Sequence, residues 1–358
     1  YVKEYHIYIE IDRQSYPKVL ENSTHPIEKV LVDVRLVFAD WQEMSQQVLD
    51  RIGYLEQGNI PTPADELKES IAFLQWLVND HFTFIGCQEY RLVGEGDNKA
   101  FQADPKTGLG IFKQASCEVP KHRKMSELPA AARAMILSDR VLILGKTSTL
   151  SSIHRPVFTD FVAVKLFDKT GQFIGEKRFI GLYTSAAYNA SPKHIPLLRR
   201  KIETVLNNAG FPEKSHDGKN LIHILETLPR DDLFHASEEE LYDLSIGILY
   251  LQERLRIRLF VRRDSYGRFF SCLVFVPREK FNSELREKMQ KILLEAFKGT
   301  EVSFSTRFSE SVLARIHFVV RVPTGVDVEY DISDIEKKLI ETSRTWRDEL
   351  QSALVEHA

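Results

Sequence analysis

Arg254, Arg256, Arg258, Arg262, Arg263 and Arg268 crowd one short stretch of this 358-residue chain, interleaved with Phe260, Tyr266, Phe269 and Phe270. Guanidinium forks recognise carboxylates and phosphates, and aromatic rings set among them on a sheet can stack single-stranded bases. Alternation places Ile257, Leu259 and Val261 on one face of a strand and the arginines on the other, a pattern that an ordinary solvated face also shows. Arg258, Arg262, Tyr266, Arg268 and Phe270 are therefore the candidates for an effector contact or an interface. A stand-alone RNA-binding module using the hairpin near residues 256–276 is the alternative, and it sits poorly with a net charge of −3 and a pI near 6.5.

Other arrangements promise less. His154-Arg155-Pro156 with Asp160, and His216-Asp217, set an imidazole near a carboxylate, but neither has further ligands at metal spacing, and they read as a strand entry and a surface turn. Gly94-Glu95-Gly96 and Gly108-Leu109-Gly110 lack the third glycine of a dinucleotide turn, and neither opens a helix. No catalytic, cofactor-binding or metal-binding residue is assigned. Cys87, Cys117 and Cys272 are odd in number and far apart, which points to a reducing, cytoplasmic setting rather than a disulfide framework. No apolar run is long enough to span a membrane.

The arginines need a sheet, and the pattern supplies one. From Arg256 to Val322 the order is strand, tight turn, strand, helix, strand, strand, with Asp264 and Gly267 at the first and last positions of a type I turn. Asn282 is the expected N-cap of the helix and Gly299 its left-handed stop. This order predicts a ferredoxin-like α+β unit with one face left uncovered. Asp168 and Gly171 mark a matching turn between Phe161 to Phe167 and Phe173 to Tyr183, followed by a helix that stops at Gly210. The arrangement reads as a weak internal repeat.

Around these hairpins, His6 to Asp12 alternates as a strand and Ile27 to Ile52 repeats as a helix. Thr62 is expected to cap a helix over Glu66 to Asn79, a strand follows over Phe82 to Leu92, and the Gly- and Asp-rich segment 94–110 reads as a mobile connection. A helix near Leu128 to Leu137 and a strand over Val141 to Lys146 come next. Leu221 to Leu228 suggests a strand. Ser237 to Arg254 is a helix opened by the capping box of Ser237 and Glu240, and Asp331 to Val355 is a further amphipathic helix.

Five ordered blocks, His81 to Leu92, His154 to Asp168, Arg178 to Ile202, Ser215 to Phe234 and Leu259 to Arg286, resemble the N-terminal region of the large bacterial NAD-specific glutamate dehydrogenases. The resemblance implies a cytoplasmic, homo-oligomeric enzyme that oxidatively deaminates L-glutamate with NAD. It further implies ACT-like regulatory domains upstream of the catalytic core, with an amino acid as possible effector. The expected division is residues 1–58 as the end of a first ACT-like domain, 59–210 as an intermediate α+β domain, 211–254 as a connection and 255–358 as a second ACT-like domain cut short at its end. The opening at Tyr1, without an initiator Met, fits a segment whose partner is the rest of the same polypeptide. NAD belongs to the full-length enzyme, with no membrane or nucleic acid expected.

Overall fold

In the computed structural model the described residues are 17–114, 121–212, 214–251, 255–309, 311–323, 325–326 and 328–344, the side chains of 17–26 and of Asp97 excepted. The strand expected at His6 to Asp12 and the last helix beyond Arg344 lie outside them.

The chain opens with the long helix α1 (Pro17–Gln57) and α2 (Ala64–Trp76), then β1 (Phe82–Val93), β2 (Ala100–Ala103), β3 (Leu109–Gly110) and β4 (His122–Lys124). Helix α3 (Ala130–Leu137) leads to β5 (Leu142–Leu150), β6 (Phe158–Phe167) and β7 (Phe173–Tyr183). These strands form an antiparallel sheet in the order β4-β2-β1-β7-β6-β5, with β3 pairing the side of β1. Helices α4 (Ser185–Asn189), α5 (Leu198–Ala209), α6 (His216–Thr227), α7 (Arg230–His235) and α8 (Glu238–Leu251) follow. A second sheet comes from β8 (Arg258–Arg263), β9 (Phe269–Pro277), α9 (Ser283–Ala296), β10 (Glu301–Arg307), β11 (Leu313–Arg321) and α10 (Ile332–Thr342). Its order is β10-β11-β9-β8, every pair antiparallel.

The architecture is α+β. In the second sheet β9, α9 and β10 form a split crossover with β11 inserted between the two strands. Strand β8 takes the edge beside β9 that a strand after α10 would occupy in the usual ferredoxin-like order. Phe270, Cys272, Val274 and Val276 of β9 pack with Leu285, Met289 and Leu293 of α9 and Ile335 and Leu339 of α10. Asn282 caps α9 as its spacing predicts, accepting a 2.8 Å hydrogen bond from Leu285 N–H. The left-handed residue at its end is Lys298, with φ 52°, rather than Gly299. Gly299 is needed for closeness, since a Cβ there would meet the Val320 side chain at 2.5 Å.

The opposite face of that sheet is covered, against expectation. Leu273, Phe275 and Leu313 belong to the same core as Phe73, Tyr183, Leu225, Phe234 and Leu241 of the first part of the chain. All of β9 is buried, as a strand between two layers must be. Helix α1 is likewise continuous with this core: Met44, Val48 and Leu55 pack with Phe84 and Cys87, so no break in packing falls at residue 58. Phe38 and Trp41 of the same helix, although apolar, are exposed.

Several local expectations change. Leu221 to Thr227, expected with Leu228 as a strand, is the end of α6: Ser215 caps it by accepting from Gly218 N–H, and Leu221 and Leu225 bury one face at a four-residue spacing that outweighs β-propensity. His216 and Asp217 are its exposed first turn. Segment 94–110 is no mobile connection, because Phe101 and Ala103 are buried as β2 pairs with β1. Pro63 rather than Thr62 precedes α2, the Thr62 hydroxyl donating to Asp139 C=O at 2.6 Å, and Asp80, with φ 61°, ends the wide turn after α2. The capping box stands: Glu240 N–H donates to Ser237 Oγ and Ser237 N–H to Glu240 Oε2.

Both hairpin turns close as their Asp and Gly residues require. Gly171 N–H donates to Asp168 C=O at 3.0 Å and Gly267 N–H to Asp264 C=O at 2.7 Å, with φ of 83° and 67° at the two glycines. An L side chain in that region costs about 1–2 kcal/mol, and more when β-branched. Gly267→Val should therefore lower the melting temperature clearly while Ser265→Ala scarcely moves it. Equal shifts in thermal denaturation would refute the turn assignment.

Candidate functional site

The six-residue helix α7, Arg230-Asp231-Asp232-Leu233-Phe234-His235, lies between the two sheets and sends polar side chains to both. Toward the second sheet, Asp232 Oδ1 accepts from Arg262 Nε at 3.1 Å and Nη2 at 2.8 Å, and Asp232 Oδ2 accepts from the Ser271 hydroxyl at 2.9 Å. His317 Nε2 stands 2.8 Å from Ser271 Oγ and 3.6 Å from Asp232 Oδ2. Burial works to raise the Asp232 carboxyl, but the charges of Arg262 and His317 and the hydrogen bonds outweigh it and hold it below its ordinary value. Burial also lowers the His317 imidazole.

Toward the first sheet, Lys146 of β5 reaches Asp160 of β6 at 2.9 Å and Asp231 at 3.1 Å, and the Tyr188 hydroxyl donates to Asp231 at 3.0 Å. Burial and the neighbouring Asp231 push Asp160 up to about 6, whereas Lys146, His235 and Tyr188 hold Asp231 low despite its burial. His235 is buried beside this pair, 3.9 Å from Asp160. Just beyond it, the Lys201 ammonium donates to the carbonyls of Leu233, Phe234 and Ala236 at the end of α7; burial brings it down to about 7.

The tip of the second hairpin enters the far side of the first sheet. Tyr266 packs edge-on against Phe161 with ring centroids 5.7 Å apart, within the cluster that holds Tyr90, Phe101 and Ile180. Arg268 lies over Tyr266 at 4.4 Å and donates to Asp264 at 3.0 Å.

The sequence-nominated residues thus divide. Arg262, Tyr266 and Arg268 meet at the seam between the sheets, already partnered inside the chain. Phe270 is fully buried on the opposite face, against Phe297. Arg258 lies apart, donating to Glu336 of α10 at 2.9 Å. Tyr266, Phe269 and Phe270 are buried, and Phe260 is partly buried against the shared core. Sequence reading missed Asp231, Asp232, His235 and His317, and the only signal for the first three was a dense charged run just after Pro229.

Neither glycine pair forms a dinucleotide-binding turn. Gly94-x-Gly96 leads into a single 3-10 turn over Gly96–Asn98, and Gly108-x-Gly110 closes onto the backbone of β1; neither presents a helix N-terminus to a pyrophosphate. Among the described residues no group of three His, Cys, Asp or Glu is arranged to hold a metal ion, and no helix is long and apolar enough to cross a membrane.

Comparison with known proteins agrees with the arrangement. Residues 258–347 match the glutamate dehydrogenase ACT2 domain and residues 195–254 match glutamate dehydrogenase helical motif 1, which here is α5 to α8. The NAD-specific glutamate dehydrogenase of Halomonas elongata is 40% identical over 98% of this chain, and that of Pseudomonas aeruginosa 38% identical over 98%. The Mycobacterium tuberculosis protein of the same name is 28% identical over 94%. The chain spans 22%, 22% and 20% of the lengths of these relatives. The chain corresponds to the part of the NAD-specific glutamate dehydrogenases that holds the ACT2 domain and helical motif 1.

Proposed function

We propose that this chain is a regulatory and assembly segment of a cytoplasmic, homo-oligomeric NAD-dependent glutamate dehydrogenase. The full-length enzyme would convert L-glutamate, water and NAD to 2-oxoglutarate, ammonium and NADH, as the names of the relatives suggest. One observation carries the regulatory reading: α7 is fastened to β5 through the ion pair of Asp231 with Lys146, which also holds Asp160 of β6, and to β8 and β9 through Asp232. A helix shared by two sheets through buried ion pairs can move only with both of them. It links a change at the ACT2 sheet to the rest of the molecule, and regulation asks only that two arrangements differ in free energy by about 1–3 kcal/mol.

The test uses the full-length enzyme. Glutamate-dependent NADH formation is expected from the full-length protein and not from the 358-residue chain alone. Asp231→Asn in the full-length protein should shift half-saturation, cooperativity or subunit assembly by about fivefold or more. A full-length protein without dehydrogenase activity would refute the enzyme assignment. Wild-type kinetics and sedimentation in the variant would reduce the seam to a passive joint.

A further inference from the structure

Where the α6–α7 corner faces β10 and β11, a cavity of about 460 Å³ opens to solvent. Arg230 stands on one wall, Arg307 and Arg315 on the other. Arg307 Nη1 and Arg315 Nη2 both donate to the carbonyl of Thr227, at 3.3 and 2.6 Å, so two cations share one neutral acceptor. Arg230 donates to the carbonyls of Tyr188 and Ala190 through Nη2, while its Nε and Nη1 are buried and without a hydrogen-bond partner. None of the three arginines is ion-paired to a carboxylate among the described residues. Glu226, the one carboxylate lining the cavity, has Lys193 3.6 Å away. Asp232, the nearest acid behind this wall, is taken by Arg262 and Ser271.

Elsewhere in the seam Arg262 has Asp232 as counter-ion, Arg268 has Asp264 and Lys146 has Asp160 and Asp231, whereas Lys201, like these arginines, is held by carbonyls alone. A guanidinium cluster without carboxylate partners focuses positive potential into the solvent-open space it lines, where Arg307 is exposed and Arg230 and Arg315 are half-buried. Burial, followed by the repulsion of Arg307, brings the Arg315 guanidinium down to about 10. A planar fork with free N–H groups is the geometry that takes an oxyanion through paired hydrogen bonds.

We propose that this cavity is a binding site for a small dianionic ligand, carboxylate or phosphate in kind, clamped between Arg230 and the Arg307–Arg315 pair. The site joins the helical layer to the outer strands of the ACT2 sheet, so an occupant would bridge them. Binding itself does not depend on the chain serving a dehydrogenase.

Calorimetric titration of the 358-residue chain with succinate, and separately with inorganic phosphate, tests the proposal. One saturable site is expected, accompanied by a rise in melting temperature and weakened by added salt. Arg315→Gln and Arg307→Gln should each reduce affinity tenfold or more. Binding of succinate alone identifies a dicarboxylate, of phosphate alone a phosphoryl ligand, and of both a general oxyanion site. Where Arg315→Gln fails to fold, Arg307→Gln decides, because Arg307 is exposed and its hydrogen bond to Thr227 C=O is a long 3.3 Å. No saturable binding of either probe to the folded chain overturns the proposal, as does affinity unchanged in folded variants.

Discussion

Replacing Asp232 with alanine should destabilise the chain by about 3–5 kcal/mol, read as a fall in the urea midpoint, because it strands the buried Arg262 charge without a partner. Ser271 loses an acceptor in the same step, and His317 loses a carboxylate 3.6 Å away. Asp232→Asn keeps the shape and one acceptor, yet leaves the cation uncompensated, and should cost most of the same amount. The double variant Asp232→Leu, Arg262→Met removes both charges and should recover much of the loss, since apolar replacement of a whole buried pair is often neutral. The sign with pH follows from the lowered carboxyl: the stability the pair contributes is complete above the ordinary carboxylate value of 3.8 and is lost as pH falls through the lower folded value. A cost below about 1 kcal/mol for the alanine variant would mean that water reaches Arg262 and that the seam is open.

Sequence revealed the hairpins and the amphipathic helices because their signals are local. Asp264 and Gly267 define a turn by themselves, as Asn282 defines a cap, and Leu285, Met289 and Leu293 repeat within one helix. What escaped was set by partners distant along the chain. Alternation correctly put Arg262 away from the apolar side of β8, but alternation names a face without saying what lies on it. Here the covering elements are α7, thirty residues upstream of Arg262 by the Asp232 contact, and the first sheet, which receives Tyr266. The uncovered polar face inferred from sequence is therefore an internal seam, and its arginines are salt-bridged rather than waiting for an effector. The α6 region failed for a different reason. Two isoleucines and a threonine among LIHILETL favour a strand locally, and the contact of Leu221 and Leu225 with the shared core overrides them.

Acid should weaken the fold through His235, and the effect should disappear with the imidazole. His235 is buried with both ring nitrogens lacking hydrogen-bond partners among the described residues, and burial drives its pKa from 6.5 to about 3. Asp231 of α7 pulls the other way, while Lys146 of β5, Arg262 of β8 and Lys201 of α5 add to the lowering. A histidine with a depressed folded value contributes its full stability above 6.5. As pH falls below that, the unfolded chain takes up the proton and the folded chain does not, so stability drains until the folded value is reached. By about pH 4.5 the loss from this one group is roughly 2–3 kcal/mol. Asp160, raised to about 6, acts in the opposite sense, since the folded chain protonates it before the unfolded chain does. The wild-type profile sums both, so the informative quantity is the difference from His235→Leu, whose volume the site should accept at a cost below about 1.5 kcal/mol near neutrality. Urea denaturation of the two proteins at a series of pH values should show the variant gaining on the wild type as pH falls from 6.5. Parallel profiles would show that His235 takes its proton in the folded state as readily as in the unfolded one, and that the layer between Asp160 and α7 is wet.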